Sequence, residues 1–272
     1  MLFSNSISNY IKSNTFKNKN VIVTGATGAI GSEVIKKLLE CGATIVGFVH
    51  DQHKVSEYFL KTTKKEQLFY IESELKYGQK VTEQFKEAMI KLKGRLDILI
   101  CCHGKFFEGN VIDTRPEDFD ENINVNVRAN FQLLSLSVPF LKMSKGNAVM
   151  ISSSDTKIVE KGDFLHALNK TMINSLVQNA ALELASFGVR VNAIAPSFVN
   201  SEFRGNILTN NNKYLDMMKE YCLLNKKIVQ PEEVADAILF LASDEAGFMT
   251  GEIMSIDSGF ELNHDLSFME EK

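Results

Sequence analysis

Short runs of apolar residues alternate along this chain with longer stretches in which apolar residues recur every three or four positions. The first kind reads as buried strand, the second as amphipathic helix. Strands are predicted at "NVIVTG" (20–25), "ATIVGFV" (43–49), "LFYIES" (68–73), "RLDILICC" (95–102), "NAVMISSS" (147–154), "VRVNAIAP" (189–196) and "GEIMSID" (251–257). Between the first two, Ile30, Val34, Ile35, Leu38 and Leu39 repeat at helical spacing, and residues 81–93 form a further helix. Pro116 opens a long helix expected to carry Phe119, Ile123, Val127, Leu134 and Val138 inward, with Pro139 near its end. A helix over 165–187 is expected to bury Leu168, Met172, Leu176, Ala180 and Leu184. "PEEVADAILFLAS" is another, with proline in its first turn.

Strand and helix alternate from end to end. Parallel strands need a crossover, usually a helix, so this order predicts one α/β domain: a Rossmann-type, doubly wound parallel sheet with helices on both faces. The expected limits are an N-terminal arm over 1–18, the domain over 19–262 and a tail over 263–272. The one long irregular region, 201–227, is expected to cover a substrate, since loops of that length in compact domains are usually binding loops. Its Met217, Met218, Leu223 and Leu224 are either substrate contacts or ordinary helix core.

Composition narrows the function. The 272 residues are 44% hydrophobic, and the formal net charge of −4 gives no basic footprint for nucleic acid. No apolar run approaches the roughly 18 residues of a membrane span. Four scattered cysteines are not a disulfide framework and suit a reducing compartment. The cytoplasm is therefore expected. The acid-poor, Ser-rich start, which lacks Arg, leaves the mitochondrion as the alternative.

"TGATGAIG" (24–31) joins the first strand to the first helix. Gly25, Gly28 and Gly31 let the backbone turn tightly and approach a pyrophosphate, while the helix N-terminus offers free N–H groups. An acidic residue at the end of the second strand would favour NAD and a basic one NADP. Here that strand ends in Val49, His50 and Asp51, which leaves the choice open. His50, Asp51 and His53 are spaced for a solvated turn rather than a metal site.

The order of "TGATGAIG", "GRLDILICCHG", "NVNVRANF", "VMISSS", "HALNK", "VRVNAIAPS" and "QPEEVADAILFLAS…MTGEIMSIDSG" resembles the short-chain dehydrogenase/reductase family, nearest the ketoacyl-carrier-protein reductase type. The likeness spans about 19–262. It implies a nicotinamide dinucleotide and a carbonyl or acyl substrate at the carboxyl ends of the strands. It also implies dimers or tetramers paired through the helices over 116–141 and 165–187, or a place in a larger assembly. Around the dinucleotide it places Thr24, Gly25, Thr27, Gly28, Ile30, Gly31, His50, Glu74, Leu75, Gly104, Lys170 and Pro196.

The family's Asn-Ser-Tyr-Lys tetrad falls on Asn126, Ser153, His166 and Lys170. The tyrosine is thus replaced by histidine. A related group sets its tyrosine seven residues before the lysine, but that position is Asp163, and no tyrosine lies between Tyr77 and Tyr214. In the family the tyrosine passes a proton to the carbonyl oxygen, the serine holds that oxygen, the lysine grips the nicotinamide ribose, and the asparagine holds a relay water. A cation near His166 disfavours its imidazolium. A lost general acid costs about 10²-fold or more in turnover. The family's Asn-Asn-Ala-Gly reads Cys101, Cys102, His103, Gly104, side chains not expected to reproduce the asparagine bonds. Ala29 takes the middle-glycine position, Ser197 follows Pro196, and Glu74-Leu75 replaces Asp-Val. Two readings follow. One is a dinucleotide-binding protein with an impaired site, serving as a structural or regulatory subunit. The other is an active NAD(P)(H)-dependent oxidoreductase with an altered proton donor.

Overall fold

The computed structural model describes residues 15–51, 55, 66–158, 161–201, 203 and 212–263. Seven parallel strands form one sheet: β1 (Asn20–Thr24), β2 (Thr44–Val49), β3 (Leu68–Glu72), β4 (Ile98–Cys101), β5 (Asn147–Ile151), β6 (Arg190–Pro196) and β7 (Ile253–Ile256). Their order is β3-β2-β1-β4-β5-β6-β7. All seven predicted strands are present, and the doubly wound expectation holds.

Side chains on successive strand positions go to opposite faces. Val21, Val23, Ile45, Ile98, Ile100, Val149 and Ile194 face helices α1 (Ala29–Glu40) and α7 (Pro231–Ala242). Ile22, Val46, Phe48, Leu99, Ala148, Met150 and Val191 face α2 (Gly78–Lys91), α4 (Ala129–Ser144) and α5 (Phe164–Leu184). A sheet covered on both faces explains why its strands read as unbroken apolar runs. Phe16 is buried in the first of these cores, inside the segment expected to be an arm. α7 begins with Pro231 and a capping box in which Glu233 accepts from the Gln230 backbone N–H at 2.8 Å.

Two helices differ from expectation. The stretch opened by Pro116 is not one α-helix. It is α3 (Pro116–Ile123), a π turn at Asn124–Arg128, then α4. The buried positions are Asn122, Asn126, Ala129, Asn130, Leu133, Leu134, Ser137 and Leu141, while Phe119 is exposed and Ile123, Val127 and Val138 are only half-buried. The π turn adds a residue to one turn and carries the asparagines inward. Along α5 the buried residues are Leu165, His166, Asn169, Lys170, Ile173, Val177, Ala181 and Leu184. Of the five residues expected there, only Leu184 is buried. Leu168, Leu176 and Ala180 are half-buried and Met172 is exposed, because the polar pair turns toward the sheet.

Within 201–227, α6 (Asn212–Tyr221) is helical. Met218 is core, packed with Phe198, Cys222, Ile228 and Phe260, and Leu223 and Leu224 are exposed. The side chain of Met217 and all of His53 lie outside the described residues. No described helix is long and apolar enough to cross a membrane.

Candidate active site

Strand order reverses between β1 and β4, so the loops leaving their carboxyl ends diverge and open a crevice. Thr24 and Cys101 are register partners at that end. Gly25 follows with φ of +63°. A Cβ there would lie 2.8 Å from backbone atoms of Cys102 and His103, so the turn needs glycine to pack on the loop after β4. A Cβ on Gly31 would lie 2.2 Å from the Gly25 carbonyl oxygen. Gly28 and Ala29 are exposed at the start of α1, where no side chain caps the helix and no acid stands in its first turn. Open, uncapped N–H groups at a positive helix end fit a pyrophosphate.

The other expected dinucleotide contacts lie at or just past the carboxyl ends of the strands. Thr27 and Ile30 lie in the turn and the start of α1, and His50 is exposed just after β2. Glu74 and Leu75 follow β3; the Glu74 carboxylate lies 3.6 Å from Lys76 and 3.8 Å from Lys80. Gly104 follows β4, where a Cβ would be 3.3 Å from the Asn126 side-chain oxygen. Pro196 ends β6.

The loop after β4 is tied to its neighbours through His103. His103 Nδ1 lies 2.6 Å from Thr24 Oγ1, and its Nε2 lies 3.3 Å from the Asn130 amide nitrogen. One imidazole therefore joins β4, β1 and α4. Burial, reinforced by the Lys170 charge, lowers its pKa to about 4. Burial also raises both thiols, Cys101 to about 12 and Cys102 further, so neither is a ready nucleophile.

Asn126 sits in the π turn. Its side chain accepts from the Lys105 backbone N–H at 2.9 Å and donates to the Lys105 carbonyl at 3.0 Å. It also donates to Asn122 Oδ1 at 2.6 Å, which accepts a second bond from Asn169. The Lys105 backbone thus orients a buried row of three amides, ending at α5.

His166 and Lys170 stand one turn apart on the inward face of α5, which packs against the 3₁₀ turn Ser154–Thr156 following β5. Lys170 Nζ donates to the Ile151 carbonyl at 2.8 Å. Burial lowers its pKa to about 8, with Asp155 and Cys102 opposing the shift. Ser153 is buried at the head of the turn, its Oγ accepting from the Asp155 N–H at 3.2 Å. Ser152 is anchored on Asn174.

Three side chains at this site escaped sequence reasoning. His166 Nε2 lies 3.4 Å from the buried Asp155 carboxylate. The His166 ring also lies 5.6 Å from Phe106 and 5.7 Å from Phe203, whose rings are 6.0 Å apart. The sequence-based argument counted only Lys170 against the imidazolium; the carboxylate acts in the other direction. Asp155 lies two residues past Ser153 in a polar run, and no spacing marks it.

A family model described as enoyl-(acyl carrier protein) reductase matches residues 25–261. An uncharacterized oxidoreductase of Thermotoga maritima is 31% identical over 250 residues, covering 90% of this chain and 98% of its own. Dehydrogenase/reductase SDR family member 4 of Bos taurus is 31% identical over 92% of this chain and 90% of its own. The 3-oxoacyl-(acyl-carrier-protein) reductase of Thermotoga maritima is 28% identical over 90% and 98%. Among solved structures, a short-chain dehydrogenase/reductase of Serratia marcescens superposes with a TM-score of 0.83 at 24% identity, covering 91% of this chain and 99% of that one. The family model over residues 25–261 and two relatives at 31% identity over nine-tenths of the chain show that it belongs to the short-chain dehydrogenase/reductase family.

Proposed function

We propose that this protein is an NAD(P)(H)-dependent oxidoreductase that interconverts a carbonyl and an alcohol, with His166 in place of the phenol as proton carrier. One observation carries the reading. The face of α5 that buries Leu165, Ile173, Val177 and Ala181 also buries His166 and Lys170, with Lys170 bonded to the Ile151 carbonyl at the end of β5 and His166 beside Asp155, two residues past Ser153. Two ionisable side chains are costly to bury, and a chemical role accounts for their place there.

A nicotinamide dinucleotide, when bound, would supply or accept the hydride. The chain does the rest. The α1 N-terminus binds the pyrophosphate, Lys170 holds the ribose, Ser153 Oγ donates to the carbonyl oxygen, and His166 delivers the proton. Phe106 and Phe203 wall the site with aromatic carbon, which favours an apolar carbonyl compound. On α4 and α5, Phe131, Met172 and Leu182 are exposed on the outer side, a surface suited to a second copy of the chain.

The test is a fluorescence titration with NADPH and NADH, followed by turnover on aliphatic, aromatic and 3-oxoacyl thioester carbonyls. Binding of one nucleotide and carbonyl reduction that disappears in Lys170→Ala support the reading. Binding without turnover on any probe would move the protein to the impaired, regulatory class. No binding of either nucleotide at millimolar concentration would leave the sheet as a scaffold.

A further inference from the structure

The geometry points to Asp155 as the positioning residue for His166: its carboxylate holds the ring and supports the imidazolium, so that an Asp–His pair does the work of the missing phenol. The inference rests on the oxidoreductase reading and deepens it.

His166 is the third residue of α5, at the positive end of the helix, and Lys170 follows one turn later. Both disfavour a charged ring, and so does burial. A histidine so placed would be neutral and a weak acid toward an alkoxide. Asp155 reverses that balance. Its Oδ2 is 3.4 Å from Nε2, and both side chains are more than nine-tenths buried, so the attraction is poorly screened. Among the described residues, the ring is faced by Asp155 from the 3₁₀ turn and the uncharged Phe106 and Phe203 from the loops, with Lys170 one turn on along the same helix; Asp163 is buried at the N-cap of α5.

With Nε2 turned to the carboxylate, the proposal assigns proton transfer with substrate to the other ring nitrogen, Nδ1. In reduction, the carbonyl carbon receives hydride from the reduced nicotinamide and the C–O π pair moves to oxygen. The Nδ1–H bond breaks as the O–H bond forms, leaving neutral imidazole and oxidised dinucleotide. Solvent returns the proton. In oxidation the same nitrogen takes the hydroxyl proton while hydride leaves carbon.

The experiment is an NMR titration of the full-length protein carrying ring-labelled histidine, with the His166 signal assigned by its loss in His166→Gln. In the wild type the ring is expected to titrate above the ordinary value of about 6.5. In Asp155→Asn its proton affinity should fall about tenfold or more. Wild-type titration below the ordinary value, or no change in Asp155→Asn, overturns the inference, and the wild-type arm does so even if the variant fails to fold. The second readout is the pH profile of kcat/KM for carbonyl reduction. The basic limb set by His166 should move to lower pH in Asp155→Asn and return in Asp155→Glu. A shifted ring titration in a protein that reduces no carbonyl would sink the oxidoreductase reading while keeping the pair. Turnover whose profile ignores Asp155 would sink the pair alone.

Discussion

His103 gives the fold a sensitivity to mild acid. Its imidazole ordinarily titrates near 6.5, but in the folded protein it is held to about 4, mainly by burial and then by the Lys170 charge. Between those values the unfolded chain takes up a proton that the folded chain refuses, so its contribution is complete above 6.5 and is lost as pH falls toward 4. We expect the unfolding temperature to drop over that window. We expect a shallower drop in His103→Asn, checked by scanning calorimetry at a series of pH values. Lys170 runs the other way. Its folded value of about 8 lies below its ordinary 10.5, so it loses charge as pH rises through 8. Dinucleotide affinity should weaken over that rise, and Lys170→Arg should flatten the loss, read by fluorescence titration. At His166 itself, His166→Phe should lower kcat about 10²-fold with little change in dinucleotide Kd, and steady-state kinetics beside that titration separate the two effects. The tetrad positions were assigned through the family resemblance. Asp155, Phe106 and Phe203 were not, because each reaches His166 from a different loop and no periodicity links them.

The two long helices show what periodicity misses. Apolar residues at helical spacing placed Phe119, Ile123 and Val127 inside, yet the π turn at Asn124–Arg128 buries Asn122, Asn126 and Asn130 instead. Binary patterning cannot foresee this, since buried amides are tolerated only when their partners arrive, and those partners are Lys105 and Asn169, distant in sequence. The same partners make the row brittle. Asn122→Ala strips the acceptor from two buried amides and should cost about 1–3 kcal/mol, measured by urea unfolding. In α1 the glycine pattern was legible because it reflects local backbone geometry. Gly31→Ala forces a methyl against the Gly25 carbonyl, which should destabilise the fold by about 1–3 kcal/mol and impair nucleotide binding together.

Over the whole molecule, the inward turn of α5 decides what lies outside. With His166, Lys170 and Ile173 buried, Met172 and Leu182 are left exposed, as is Phe131 of α4. If this face pairs two copies, Leu182→Glu should convert the assembly to a smaller species in sedimentation velocity, without change in secondary structure. Seven strands and their parallel pairing follow from the sequence alone. Each depends on local signals: β-branched runs, glycine turns, and crossovers too long for hairpins. Tertiary structure decided the rest. It set which face of each helix is buried, tied a loop without asparagines through His103, and brought Asp155 to His166. Those outcomes depend on pairs far apart in the chain, whose distances exist only after the sheet has closed around them.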